Sequence, residues 1–380
     1  MNNVSLLRCD EYDYKKVKTV IDQTFINLGG IQKFVKPGMK VLLKINLLMK
    51  KKPEEATTTH PVFVEALTRA VQEAGGVVTI ADSPGGLYTE KALKGVYSVC
   101  GIEEVAKKTG AILNYDLTHQ EVSFTGGKIT KSFMVISPAL EADLVITVPK
   151  CKTHGMTLFT GAVKNLFGVI PGTYKAEYHF RMQDKKDFCN MLVDLCQLIS
   201  PSLSIMDAIV GMEGSGPSGG DPRKIGAVIA STSPYLVDLV ATTIIGISPS
   251  EVYTIVNSIE RGLCPSDISK INILGDDIST FLIKDYKLPV GRAVSFLDGL
   301  PPFMQKKING WVSPKPVFIH ETCIGCRDCE MNCPPKAISM RGKKPYVDLN
   351  KCIKCFCCQE LCPKKAIEIK RPRWVQKFLK

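Results

Sequence analysis

CIGCRDCEMNCP (323–334) and CIKCFCCQELCP (352–363) are two copies of one pattern, 29 residues apart. In each, three cysteines stand three residues apart, a fourth follows four residues later, and a proline comes directly behind it. Proline fixes φ and removes a backbone donor, so Pro334 and Pro363 break the chain after the fourth cysteine. The copying continues into Lys336-Ala337-Ile338 and Lys365-Ala366-Ile367, which predicts two similar halves about a pseudo-twofold axis. Thiolates suit soft metals, zinc included, but a zinc site asks for pairs of ligands rather than two offset quartets.

The run resembles the bacterial dicluster ferredoxins, in which three closely spaced cysteines hold one cubane cluster and the fourth reaches the other. The resemblance implies that Cys323, Cys326, Cys329 and Cys362 hold one [4Fe-4S] cluster. It implies that Cys352, Cys355, Cys358 and Cys333 hold a second. Cys357 stands between two implied ligands as a spare thiol and is read as packing.

A chain of 380 residues, 45% hydrophobic, is long enough for one large core and an appendage. Of its 15 cysteines, those outside the two runs are scattered, which fits a reducing cytoplasm better than a disulfide scaffold. MNNVSLLRCDEYDYKK places charges where a secretory peptide needs an apolar run. The longest apolar stretch, Leu236 to Ile247, is short for a membrane span and carries Asp238, so no transmembrane segment is expected.

The formal charge is +12, and residues 316–380 hold 14 Lys plus Arg against 6 Asp plus Glu. Two oxidised cubanes, at about −2 each, offset roughly half of that local excess. A basic rim suits an acidic redox donor such as ferredoxin or flavodoxin; a solvated lysine surface balancing the clusters is the equal alternative. No aromatic-basic motif accompanies the charge, so nucleic acid is not an expected partner.

Upstream, MKVLLKI (39–45) reads as a buried strand, and Thr59 or His60 caps a helix with Pro61 at its first position, running to Ala74 before Gly75-Gly76. VVTIAD (77–82) is a second strand, followed by a helix from Glu90 to Lys108. Further strands are expected at 121–125, 132–136, 143–148, 203–210, 226–231 and 271–275, and helices at 186–199, 235–246 and 250–261. The alternation predicts an α/β fold with a largely parallel sheet and flanking helices, joined to a small C-terminal dicluster ferredoxin-like α+β domain. The boundaries are 1–287 for the α/β domain, 288–315 for an apolar, proline-containing linker or interface segment, 316–370 for the cluster domain, and 371–380 for a basic amphipathic tail.

Ligand sites in open α/β sheets lie beyond the carboxyl ends of strands. Lys44, Asn46, Asp82 to Gly86, Pro149 to His154 and Asp207 to Gly220 all fall there. His154 follows two lysines, which should depress its pKa and keep it neutral. Lys164 and Asn165 interrupt an otherwise apolar helix, where a lysine either snorkels or holds an anion. Gly214 to Gly219 matches GxGxxG only as a string, because a strand rather than a helix follows. It is read as a glycine loop closing over a ligand, with Glu213 as acid or base, or as an ordinary loop. His60 is a cap or a catalyst, His119 and His179 lack supporting company, and His320 lies near the first cluster cysteine.

VPKCKTHGMTLFTGAVKNLFGVIPG (148–172), with KINLL (44–48), TTTHP (57–61) and DAIVGMEGSGP (207–217), resembles the family catalogued as domain of unknown function 362. The likeness spans roughly residues 20–290. It implies family-type positions at Lys150, Lys152, His154, Lys164, Asn165, Asp207, Glu213 and Gly216, and supplies no substrate. The expectation is an iron-sulfur oxidoreductase acting on a small anionic substrate or second cofactor. Its candidate catalytic residues are His154, Lys152 and Glu213; its candidate binding residues are Lys150, Lys164, Asn165, Lys44 and Asn46. A flavin could serve as converting cofactor, although no signature for one is found. The alternatives are a non-enzymatic electron-transfer or maturation accessory protein, and an α/β domain doing non-redox chemistry beside structural clusters.

Overall fold

A computed structural model of the chain describes residues 2–290 and 312–372. In KVLLKI (40–45), Val41, Leu43 and Ile45 enter one core and Leu42 the other, as the two-residue period of a strand buried on both faces requires. Helices Tyr14–Asn27 and Pro61–Glu73 cover the first face, and helices Lys185–Ile199 and Pro234–Ile244 the second.

The strands of the large domain are β1 (Asn3–Arg8), β2 (Lys40–Ile45), β3 (Val77–Ala81), β4 (Ile112–Leu113), β5 (His119–Ser123), β6 (Ser132–Ile136), β7 (Leu144–Val148), β8 (Lys150–His154), β9 (Leu158–Thr160), β10 (Leu203–Glu213), β11 (Asp221–Ser231) and β12 (Asn272–Gly275). Their order in the main sheet is β12-β1-β11-β10-β7-β2-β3-β4. From β10 through β7, β2 and β3 to β4 the pairing is parallel. β11 runs antiparallel to both its neighbours, so the sheet is mixed but largely parallel. β8 follows β7 beyond Pro149, stays parallel to β10 and carries β9, extending the sheet toward the cluster domain.

Several expected elements differ in detail. The helix expected over 90–108 is two, Glu90–Val99 and Ile102–Thr109, because Gly101 takes a left-handed φ of 75° between them. β5 and β6 form a separate antiparallel hairpin off the main sheet. The segment around Lys164 is one helical turn, Ala162–Asn165, continued by the 3-10 turn Leu166–Val169. His60, not Thr59, caps its helix, its Nδ1 accepting from Val62 N at 3.3 Å, while Thr59 Oγ1 donates to Val148 O.

The cluster domain consists of two antiparallel ribbons, β13 (Lys315–Phe318) with β16 (Ile367–Lys370) and β14 (Ile338–Arg341) with β15 (Lys344–Val347). Its halves repeat in backbone as well as sequence. Arg327 and Phe356 both take left-handed φ, 68° and 63°, and Lys336 and Lys365 both take 51°. Ala337 N donates to Cys333 Sγ and Ala366 N to Cys362 Sγ, each at 3.2 Å. The domain sits on the sheet's carboxyl edge. Gln359 Nε2 donates to Ser215 O at 2.9 Å, Ser218 Oγ to Glu360 O at 2.6 Å, and Phe356 is buried in the large core. The glycine loop 214–220 is thus a docking surface for this domain. Residues 291–311 of the expected linker and 373–380 of the tail lie outside the described residues. Among the described residues, no helix is long and apolar enough to cross a membrane.

Lys150 anchors the register of β8 on β10. It is fully buried, its Nζ 2.8 Å from Asp207 Oδ2 and 2.6 Å from the Tyr12 hydroxyl. Removing one partner of a buried pair strands the other, so Asp207→Asn should cost about 3–5 kcal/mol. Chemical denaturation of the purified variant measures this loss.

Candidate functional site

Beyond the ends of β2 and β8 the two domains enclose a cavity of ≈ 770 Å³ of atom-free space, its open mouth included. The α/β domain supplies Asn46, Lys152, His154, Lys164, Asn165, Lys175 and His179, and the cluster domain supplies Asn332, Cys357, Glu360 and Leu361. The close approach relies on glycine: a Cβ on Gly85 would lie 2.4 Å from Leu361 Cδ2.

Lys152 is 1% exposed and has no carboxylate within ion-pair distance among the described residues. Its Nζ donates to Asn46 Oδ1 at 2.8 Å and to Thr57 O at 2.6 Å, and burial pulls its pKa down to about 7. Lys175 donates to Ile170 O, Ser83 O and Ser83 Oγ, and burial lowers it likewise to about 7. Lys164, also buried, lies over the rings of Phe167 and Phe188 at 5.4 and 5.9 Å and meets no carboxylate among the described residues. Asn165 is a strut: its Nδ2 donates to Lys44 O and Thr147 Oγ1, and its Oδ1 accepts from Asn46 Nδ2.

His154 Nδ1 accepts from the backbone N–H groups of Met156, at 3.1 Å, and Thr157, at 3.4 Å. A nitrogen that accepts carries no proton, so the neutral ring's proton is on Nε2. Burial, with Lys164 beside it, holds the imidazole well below its usual pKa. Nε2 has no hydrogen-bond partner among the described residues and faces Glu360 Oε2 across 3.7 Å. His179 stacks on Phe188 at 4.3 Å, and burial pushes it down to about 3.

Three expected site residues are elsewhere. Lys150 is consumed by Asp207 and Tyr12 and does not line the cavity. Lys44 lies beneath the floor, paired with Asp82 at 2.8 Å; a Cβ on Gly168 would collide with that pair. Glu213 accepts from Lys287 N at 3.1 Å and does not line the cavity either. Sequence reasoning missed Glu360, Cys357, Lys175 and His179. The first two belong to another domain, and the third and fourth share a helix whose inward face only the fold defines.

The cysteines fall into two hollows. Cys323, Cys326, Cys329 and Cys362 line one, and Cys333, Cys352, Cys355 and Cys358 the other. Among the described residues no three His, Cys, Asp or Glu side chains gather as a single ion would need. Thiolates spaced around a larger hollow, with backbone N–H groups donating to Cys333 and Cys362, fit a cubane.

Residues 322–366 match the 4Fe-4S dicluster domain, an electron-transfer module. Residues 41–243 match the family described as Domain of unknown function (DUF362), and the chain belongs to that family. It is 36% identical over 274 residues to the Thylakoid-associated protein sll1697 of Synechocystis sp., covering 70% of this chain and 81% of that protein. Among solved structures, the lactate racemase apoprotein from Thermoanaerobacterium thermosaccharolyticum aligns with TM-score 0.39 and 11% identity over 63% of this chain and 57% of that one. A Thermotoga maritima protein aligns with TM-score 0.33 and 16% identity over 54% and 52%. The chain thus spans little more than half of either structure's length.

Lys152 and Lys175, near 7 in the empty site, are charged at pH 6 and largely neutral at pH 8.5. A bound anion raises both pKa values, so binding above pH 7 takes up protons and weakens by up to about tenfold per pH unit for each lysine. Titration calorimetry with oxalate, whose own charge is constant over this range, should show proton uptake at pH 8 and little at pH 6. Equal uptake at both would remove the lysines from the binding site.

Proposed function

We propose that the chain is an iron-sulfur oxidoreductase whose C-terminal module passes electrons through two [4Fe-4S] clusters to a small anionic substrate or second cofactor. The observation that carries this reading is the shared cavity. Lysines without acid partners among the described residues line it from one domain, and Cys357 and Glu360, on the turn between the cluster cysteines, line it from the other.

Cys323, Cys326, Cys329 and Cys362 would hold one cluster and Cys333, Cys352, Cys355 and Cys358 the other. When bound, each cluster supplies one electron at a time, and a pair allows two to be delivered in sequence. Lys152, Lys164 and Lys175 bind the anion. Asn46 and Asn165 fix the position of Lys152 and of the floor. His154, its single proton on Nε2, offers that N–H as a hydrogen-bond donor to the anion. Lys44 and Lys150 hold the frame. The redox donor is an acidic carrier of the ferredoxin or flavodoxin kind, drawn by the basic cluster domain.

Protein purified without oxygen should contain about eight irons, show two dithionite-reducible cubanes by EPR, and bind oxalate. Lys164→Met should weaken oxalate at least about tenfold, the equivalent of a 1.4 kcal/mol contact, with iron content unchanged. Unaltered oxalate affinity in that variant would refute the pocket assignment. A full iron complement with neither anion binding nor an extractable chromophore would make the protein an electron-delivery accessory instead.

A further inference from the structure

The two halves of the cluster domain share one backbone and present different surfaces. Arg327 and Phe356 occupy the same step of the repeat at the same left-handed φ, yet the Arg327 side chain is 61% exposed and Phe356 is 3% exposed within the large core. One step on, Asp328 answers to Cys357, which lines the cavity. Glu330, paired with its own Arg327 at 2.9 Å, answers to Gln359, which is bonded to Ser215. Met331, 65% exposed, answers to Glu360, which faces His154. This face of the helical turn meets the α/β domain in the second half; in the first it is turned outward up to Met331, and Asn332 then reaches the cavity.

We propose that loop 323–331 is the docking face for an acidic, soluble one-electron carrier, and that electrons cross the module from the Cys323 loop toward the Cys352 loop and the cavity. The inference rests on the reading of the module as an electron relay and adds its direction and its outer contact. Cys326 is exposed, whereas its counterpart Cys355 is half-buried. Ile324, 56% exposed, and Met331 give this face an apolar centre. Around it stand exposed cations: Lys364 lines the outer cysteine hollow, and Lys343 packs against Gly325. Glu330 and Arg327 are occupied by each other; Asp328, half-buried, also lines the hollow, and Glu321 is the exposed acid just before the stretch. An apolar centre with a basic rim complements an acidic partner and steers its approach. Each encounter oxidises the carrier by one electron and reduces the module by one, with no proton exchanged at the face.

The test is stopped-flow reduction of the iron-loaded protein by a reduced, acidic [2Fe-2S] ferredoxin at low ionic strength. Lys343→Glu with Lys364→Glu alters the outer face; Lys336→Glu with Lys351→Glu makes the same charge change beside the inner cysteine set. All four side chains are exposed, so both variants should fold. The expected result is a second-order rate at least about tenfold lower for the outer variant, with the difference vanishing in high salt. The inner variant should stay within about twofold of the parent, and dithionite should reduce all three alike. An outer variant that reacts as fast as the parent, or an inner variant slowed as much, overturns the docking face. If dithionite fails to reduce the parent, the electron-relay reading itself falls, and the inference with it.

Discussion

A lysine buried away from water must be paired, neutral, or held for an anion, and this constraint sorts the lysines at the sheet's carboxyl edge. Lys44 and Lys150 are paired with Asp82 and Asp207 at 2.8 Å each and belong to the frame. Lys152, Lys164 and Lys175 have no acid at that distance among the described residues, and all three line the cavity. For Lys152 and Lys175, neutral states near pH 7 and carbonyl acceptors make burial tolerable in the empty site; Lys164 lies over aromatic faces. The cavity is therefore a place where positive charge is available on demand.

The cluster domain completes this site rather than merely accompanying it. Phe356 anchors the domain in the large core, Gln359 and Ser218 fix its short helical turn, and Glu360 is thereby set opposite the one protonated nitrogen of His154. A loop with the sequence of a ligand clamp, Gly214 to Gly219, is spent on this docking. Its carbonyls accept from Gln359 and from Thr153, whose hydroxyl donates to Gly214 O at 3.0 Å.

The parts legible in the sequence were those encoded by local period. The two cysteine quartets, the alternation in KVLLKI and VVTIAD, and the proline and glycine that bound helix Pro61–Glu73 all express spacing along the chain. Strand ends pointed to His154 and Lys152 because topology fixes where sites lie, and Lys164 and Asn165 stood out as polar residues in an otherwise apolar helix. Illegible were facts set by partners distant in sequence. Nothing near Lys150 announces Asp207, 57 residues on, nor does anything near Glu213 announce Lys287. Glu360 reaches His154 only because two domains dock, and no period of either segment carries that information.

If the anion site and one of the two clusters share a wall, as proposed, an EPR-monitored redox titration of both clusters in the parent protein and in Lys164→Met will register it. Replacing this cavity lysine should shift one midpoint potential by an amount on the order of tens of millivolts and leave the other in place. Two unchanged midpoints, or two that move equally, would contradict the account.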